Sequence, residues 1–172
     1  MRKHGKSHIK NVVIVYQVYG GDYILKKYKF GFDVWGLILF FIIMIPNFIW
    51  FAIPAPHDIL RAESVTPEVD NIASIAQVIM IICLCIFQKT GIEKIRITKL
   101  LIVTIVSCLL YFVCWILYYS GITNVGIILG LTIFPCLAFL CYSVDRKNMA
   151  AFVPAVIFTI CHLIYALVNY II

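Results

Sequence analysis

The chain has 172 residues, 63% of them hydrophobic and only 13% charged, with a mean hydropathy of +1.02. A water-soluble domain carries about 25% charged residues, so this composition excludes one. The formal charge of +6 does not imply nucleic acid, because the basic residues sit at the ends of apolar runs, where membrane orientation puts them.

Residues 1–30 read as a basic leader, with Arg2, Lys3, Lys6, Lys10, Lys26, Lys27 and Lys29. Inside it, Asn11 to Tyr16 has strand propensity and Gly20-Gly21-Asp22 reads as a turn. Two readings of 11–25 stand: a cytoplasmic hairpin or interfacial segment, or a gene start set too early, with initiation near Leu25.

Residues 31–172 read as one domain. A span needs roughly 20 apolar residues, and five runs qualify, at about 34–54, 67–88, 99–119, 122–143 and 149–171. The first is an uncleaved anchor: the leader is too long for a signal-peptide n-region, and the Ala55 cleavage candidate is followed by Pro56. Trp35 and Trp50 bracket it as interfacial aromatics.

Residues 54–66 form the only substantial external loop. Pro54-Ala55-Pro56 stiffens its start, and Asp58 is placed to cap a short turn through Ile59 and Leu60. Thr66-Pro67-Glu68 opens the second helix: Thr66 as cap, Pro67 in the first turn, Glu68 and Asp70 on the positive end of the dipole.

The basic residues alternate between connections. Only Arg61 lies between the first two spans, against Asp58, Glu63, Glu68 and Asp70. Lys89, Lys94, Arg96 and Lys99 follow the second span, the 120–123 turn has none, and Arg146 and Lys147 follow the fourth. The N-terminus is therefore expected in the cytoplasm and the C-terminus outside. The expected fold is all-α: an integral membrane bundle of five transmembrane helices in the lipid bilayer of the cell membrane.

Within the spans, Gly126 and Gly130 permit close helix approach, within the chain or at a homodimer or partner interface. Pro46, Pro135 and Pro154 free the carbonyls of Ile42, Leu131 and Ala150. The seven cysteines all fall in apolar runs and read as packing residues.

The polar residues fall into stripes: Asn47 on the first span; Asp70, Ser74 and Gln77 on the second; Ser107, Tyr111, Trp115 and Tyr118 on the third; His162, Tyr165 and Asn169 on the fifth. Given the orientation, nearly all lie in the outer half. One reading is interhelical hydrogen bonding, worth about 0.6 kcal/mol per bond, plus an aromatic belt. The other is an outward-open polar pocket built from Asn47, Asp70, Ser74, Gln77, Tyr111, Trp115, His162 and Tyr165, roofed by the loop. A carboxylate such as Asp70 or Glu68 beside His162 would make that imidazole pH-responsive.

His57, Asp58, Arg61 and Glu63 are the charged and titratable groups of the external loop. His57, Asp58 and Glu63, with His162, are the candidates for a metal or acid–base set, but His57 and Asp58 are adjacent, without HExxH or a comparable spacing, and no GxSxG or nucleotide loop occurs. No metal, cofactor or catalytic residue is expected.

The stretch from Pro46-Asn47-Phe48-Ile49-Trp50-Phe51 through Pro54-Ala55-Pro56-His57-Asp58-Ile59-Leu60-Arg61 to Thr66-Pro67 resembles a group of small multipass proteins of low-GC Gram-positive bacteria. That resemblance implies a bacterial inner membrane and no particular activity; the Ile- and Lys-rich composition fits an AT-rich genome. In architecture alone, five helices with one long loop after the first, the chain is similar to the tryptophan-rich sensory proteins of the translocator family. It lacks their Trp- and Pro-rich motif.

Three functions follow as expectations. The first is binding of a small or lipidic ligand from outside, as a receptor or transporter part. The second is a structural or regulatory subunit docking through Gly126 and Gly130. The third is an outer-surface enzyme using His57, Asp58 or His162.

Overall fold

Asp33 starts the helical unit. Its carboxylate accepts from the backbone N–H groups of Trp35 at 3.1 Å and Gly36 at 3.3 Å, capping a helix that runs from Val34 to Ala52 (α1). The computed structural model describes residues 28–89 and 95–172, so the 11–25 segment lies outside the described residues. Four more helices follow: α2 (Pro67–Ile86), α3 (Lys99–Tyr119), α4 (Val125–Asp145) and α5 (Met149–Tyr170). All five are long and apolar enough to cross a membrane.

The boundaries differ from the sequence reading where local chemistry overrides hydropathy. Ile53 is already extended ahead of Pro54, so α1 ends short of residue 54. α2 ends at Ile86 because Phe87–Lys89 becomes a short strand, β2, antiparallel to β1 (Tyr28–Phe30), with Phe30 opposite Phe87. α4 starts at Val125, where the Asn124 side chain caps the N–H of Ile127, rather than at 122. α2 does begin at Pro67 with Glu68 and Asp70 in its first turn. Thr66 does not cap it; its hydroxyl accepts instead from the Asn169 amide at 2.7 Å.

Around the bundle the neighbours run α1, α2, α5, α4, α3 and back to α1. α4 is the inner helix, with half of its most apolar stretch buried, whereas α1 has only 22% buried. Outward faces are apolar, with Ile75, Leu109 and Ile116 all well exposed. In water that surface would be a large liability; in hydrocarbon it costs nothing.

Gly130 is buried on the α3–α4 seam. A Cβ there would lie 2.4 Å from the Cys114 sulfur, so the missing side chain lets the two helices close. Gly126 is exposed, and a Cβ on it would meet only its own Asn124 side chain at 3.4 Å. The two glycines therefore do not form one continuous seam: Gly130 is spent inside the chain.

The two ends of the bundle are built differently. At one end, Asp33 pairs with Arg146 at 3.1 Å and accepts from the Tyr142 hydroxyl at 3.3 Å; both members of the ion pair are 5% exposed. Asn148 caps α5 and donates to the carbonyls of Cys83 and Phe87, and Thr98 donates to Asp145. Arg96, Lys99, Arg146 and Lys147 lie at this end. The other end carries the 53–66 connection.

Candidate functional site

Loop 53–66 is tied down at nearly every turn. Asp58 is its hub. The carboxylate accepts from the Trp50 indole N–H at 2.9 Å, the Tyr118 hydroxyl at 2.7 Å, Arg61 Nε at 2.9 Å and the Ala55 N–H at 3.4 Å. Loss of water pushes the Asp58 pKa up, but the bonds from Trp50, Tyr118, Arg61 and Ala55 outweigh that, so the carboxyl sits below the ordinary aspartate value. Asp58 precedes a 3-10 turn, Ile59–Arg61, without capping it, because its oxygens are spent on these partners.

Other tethers come from the helix ends. Tyr119 donates to the Ile53 carbonyl at 2.7 Å, Tyr170 to the Leu60 carbonyl at 3.2 Å, and the Leu60 N–H to the Tyr118 oxygen at 3.2 Å. Asn169 accepts from the Val65 N–H at 2.7 Å. The loop thus closes over the ends of α1, α3 and α5.

Beneath it lies a cavity of about 440 Å³ that all five helices line. That size lies within the roughly 300–1,000 Å³ of small-molecule sites. Asn47, Asp70, Ser74, Gln77, Tyr111, Trp115, His162 and Tyr165 all contribute to its wall. The helix spacing explains the convergence: Asp70, Ser74 and Gln77 repeat on one face of α2, and Tyr111 and Trp115 on one face of α3.

Their bonding states differ. Asn47 donates to its own helix at Ile43 and to the Tyr111 hydroxyl at 2.8 Å. Tyr165 and Tyr170 share a hydrogen bond at 2.9 Å. His162 stacks on Phe158, ring centres 5.0 Å apart. Among the described residues no carboxylate forms an ion pair with His162, so the expected acidic neighbour is not in contact. Asp70, Ser74, Gln77 and His162 make no side-chain hydrogen bond among the described residues.

Trp115 is the exception that a closed bundle does not explain. It is 6% exposed, yet its indole N–H has no hydrogen-bond partner. Tyr111 and Tyr118 stand edge-on to its ring at 6.3 and 5.7 Å; the Tyr111 oxygen interacts with the indole N–H without meeting hydrogen-bond geometry, and the nitrogen itself is fully buried. A buried donor without an acceptor costs about 1–3 kcal/mol.

Several wall residues escaped the sequence reading. Trp50 and Phe51 on α1 and Leu60 on the loop close the top; Thr132, Pro135 and Phe139 form the α4 side. Pro135 had one legible signal. It deprives the Leu131 carbonyl of its helical partner, and Leu131 and Pro135 both line the cavity.

The loop groups divide. Asp58 and Arg61 are paired to each other, and Arg61 also lies 4.9 Å over the Trp50 ring. His57 and Glu63 are exposed and outside the cavity wall. Among the described residues no three His, Cys, Asp or Glu side chains are placed to hold a metal. No family model, curated protein or solved structure matches the chain.

Proposed function

We propose that this is a multipass protein of a bacterial cell membrane that binds a small, largely apolar ligand in the cavity under loop 53–66. The ligand enters from the external side, and the protein acts as a receptor or as the binding part of a transporter. The observation that carries the reading is a cavity of about 440 Å³, of ligand size, walled by all five helices, in which Asp70, Ser74, Gln77 and His162 have no side-chain hydrogen bond among the described residues. Polar groups inside a span are normally satisfied, and a bound ligand would supply partners for these.

Orientation rests on the charge pattern. Arg96, Lys99, Arg146 and Lys147 share the end away from the loop, which the positive-inside effect places in the cytoplasm. In a variant without native cysteines, a probe at position 63 is expected to react with an impermeant thiol reagent from outside, and one at 96 is not. The reverse would invert the topology.

A Trp35→Phe background leaves Trp50 and Trp115, both in the cavity wall, as the only fluorophores of their kind. Three probes of similar size suit the volume: phenyltrimethylammonium, tert-butylbenzene and benzenesulfonate. At least one is expected to change the emission saturably, and Ser74→Phe, which projects a ring into the cavity, is expected to abolish the change. A purely linear response to all three would end the ligand reading.

The subunit reading keeps one supporting observation, the exposure of Gly126. Its other half, Gly130, is occupied within the chain, which makes it the weaker of the two. The enzyme reading finds His57 apart from the cavity and Asp58 spent on the loop tether.

A further inference from the structure

The charges around the cavity are one-sided. Its wall contains one carboxylate, Asp70, and no Lys or Arg. The nearest cation, Arg61, is neutralised by Asp58. Residues 53–73 as a whole carry four acidic side chains against that single Arg61. A low-dielectric cleft lined by one sign of charge concentrates ligands of the other.

The remaining polar groups offer acceptors as well as donors. The Leu131 carbonyl lacks its helical N–H because of Pro135, and Ser74, Gln77 and His162 are unbonded among the described residues. Aromatic rings complete the wall, and their faces attract cations within about 6 Å. Asp70 is exposed, so it stays hydrated while the site is empty and costs nothing in that state.

Resting on the ligand-binding reading above, we infer that the ligand is an organic cation: an ammonium group on a small apolar body. The ammonium sits between Asp70 and the aromatic wall.

Phenyltrimethylammonium and tert-butylbenzene have the same shape and differ in charge. With the full chain in nanodiscs, the cation is expected to bind about tenfold more tightly than the hydrocarbon, a preference within reach of one carboxylate and an aromatic wall. Asp70→Asn should remove most of that preference, and Asp70→Glu should keep it. Asp70 has no side-chain partner to lose among the described residues, so both variants are expected to fold, with an unchanged thermal midpoint as the check.

Equal or tighter saturable binding of tert-butylbenzene or benzenesulfonate would overturn the cation assignment and leave the binding cavity standing. A cation preference untouched by Asp70→Asn would overturn it as well. No saturable binding by any probe would overturn both. The ammonium could belong to a free amine or to a choline headgroup. At equal anionic-lipid content, weaker probe binding with phosphatidylcholine than with phosphatidylethanolamine as the remaining lipid assigns the headgroup, and equal binding assigns the free cation.

Discussion

The Tyr118 hydroxyl donates to the Asp58 carboxylate at 2.7 Å, joining the last turn of α3 to a loop 60 residues earlier in the chain. The same carboxylate holds Trp50 at the end of α1 and Arg61 within the loop. One acidic side chain therefore fixes the cover of the cavity to two helices that line it.

Asp58→Ala is expected to free that cover. It leaves the Trp50 indole N–H and the Tyr118 hydroxyl without their acceptor, at a cost of about 1–3 kcal/mol. Hydrogen exchange of the 55–62 amides should rise sharply, while the amides of α4 stay protected. Unchanged exchange in the loop would show that the other tethers suffice.

The pH dependence has a definite sign. The folded Asp58 pKa is below the ordinary aspartate value, so its contribution is complete above that value and is lost as pH falls through the folded pKa. The Trp50 indole N–H resonance should be constant from neutral pH down to about pH 5 and shift only below about pH 4. A midpoint above the ordinary aspartate value would contradict the tether as described.

Gly130→Ala is expected to destabilise the α3–α4 seam by about 1–3 kcal/mol, the usual cost of overpacking, because the new methyl would meet the Cys114 sulfur. Adding Cys114→Ala should recover most of the loss, and Gly126→Ala alone should be close to neutral. Unfolding midpoints in detergent measure all three. If Gly130→Ala were silent for stability but changed the oligomeric state, the intrachain packing role would fall.

The opposite end offers a comparison. Asp33 and Arg146 are a buried pair, and removing one partner of such a pair costs about 3–5 kcal/mol. Arg146→Met should lose about that much. Asp33→Asn combined with Arg146→Met should recover a large part, since asparagine still caps α1 and no lone charge remains. Additive losses in the double variant would mean that the pair is not coupled.

Hydropathy and helix spacing made much of this fold legible. Five apolar runs became five helices, the start of α2 was readable from Pro67 and its acidic first turn, and i, i+4 spacing put Asp70 with Ser74 and Tyr111 with Trp115 on common faces. These are local properties: a repeat of 3.6 residues and a run long enough for hydrocarbon are written in consecutive residues.

Contacts between distant segments were not legible. Only the assembled bundle shows that Asp58 ties the loop rather than caps a turn, that Asp33 meets Arg146 across 113 residues, that Gly130 serves α3, and that Trp50, Leu60 and Tyr170 close the cavity. A side chain's partner in three dimensions depends on how helices choose neighbours, and that choice balances packing, capping and buried hydrogen bonds over the whole chain. The sequence by itself determined which helix faces were polar. The tertiary structure decided that those faces meet around one space, and that the donor of Trp115 is left there without an acceptor.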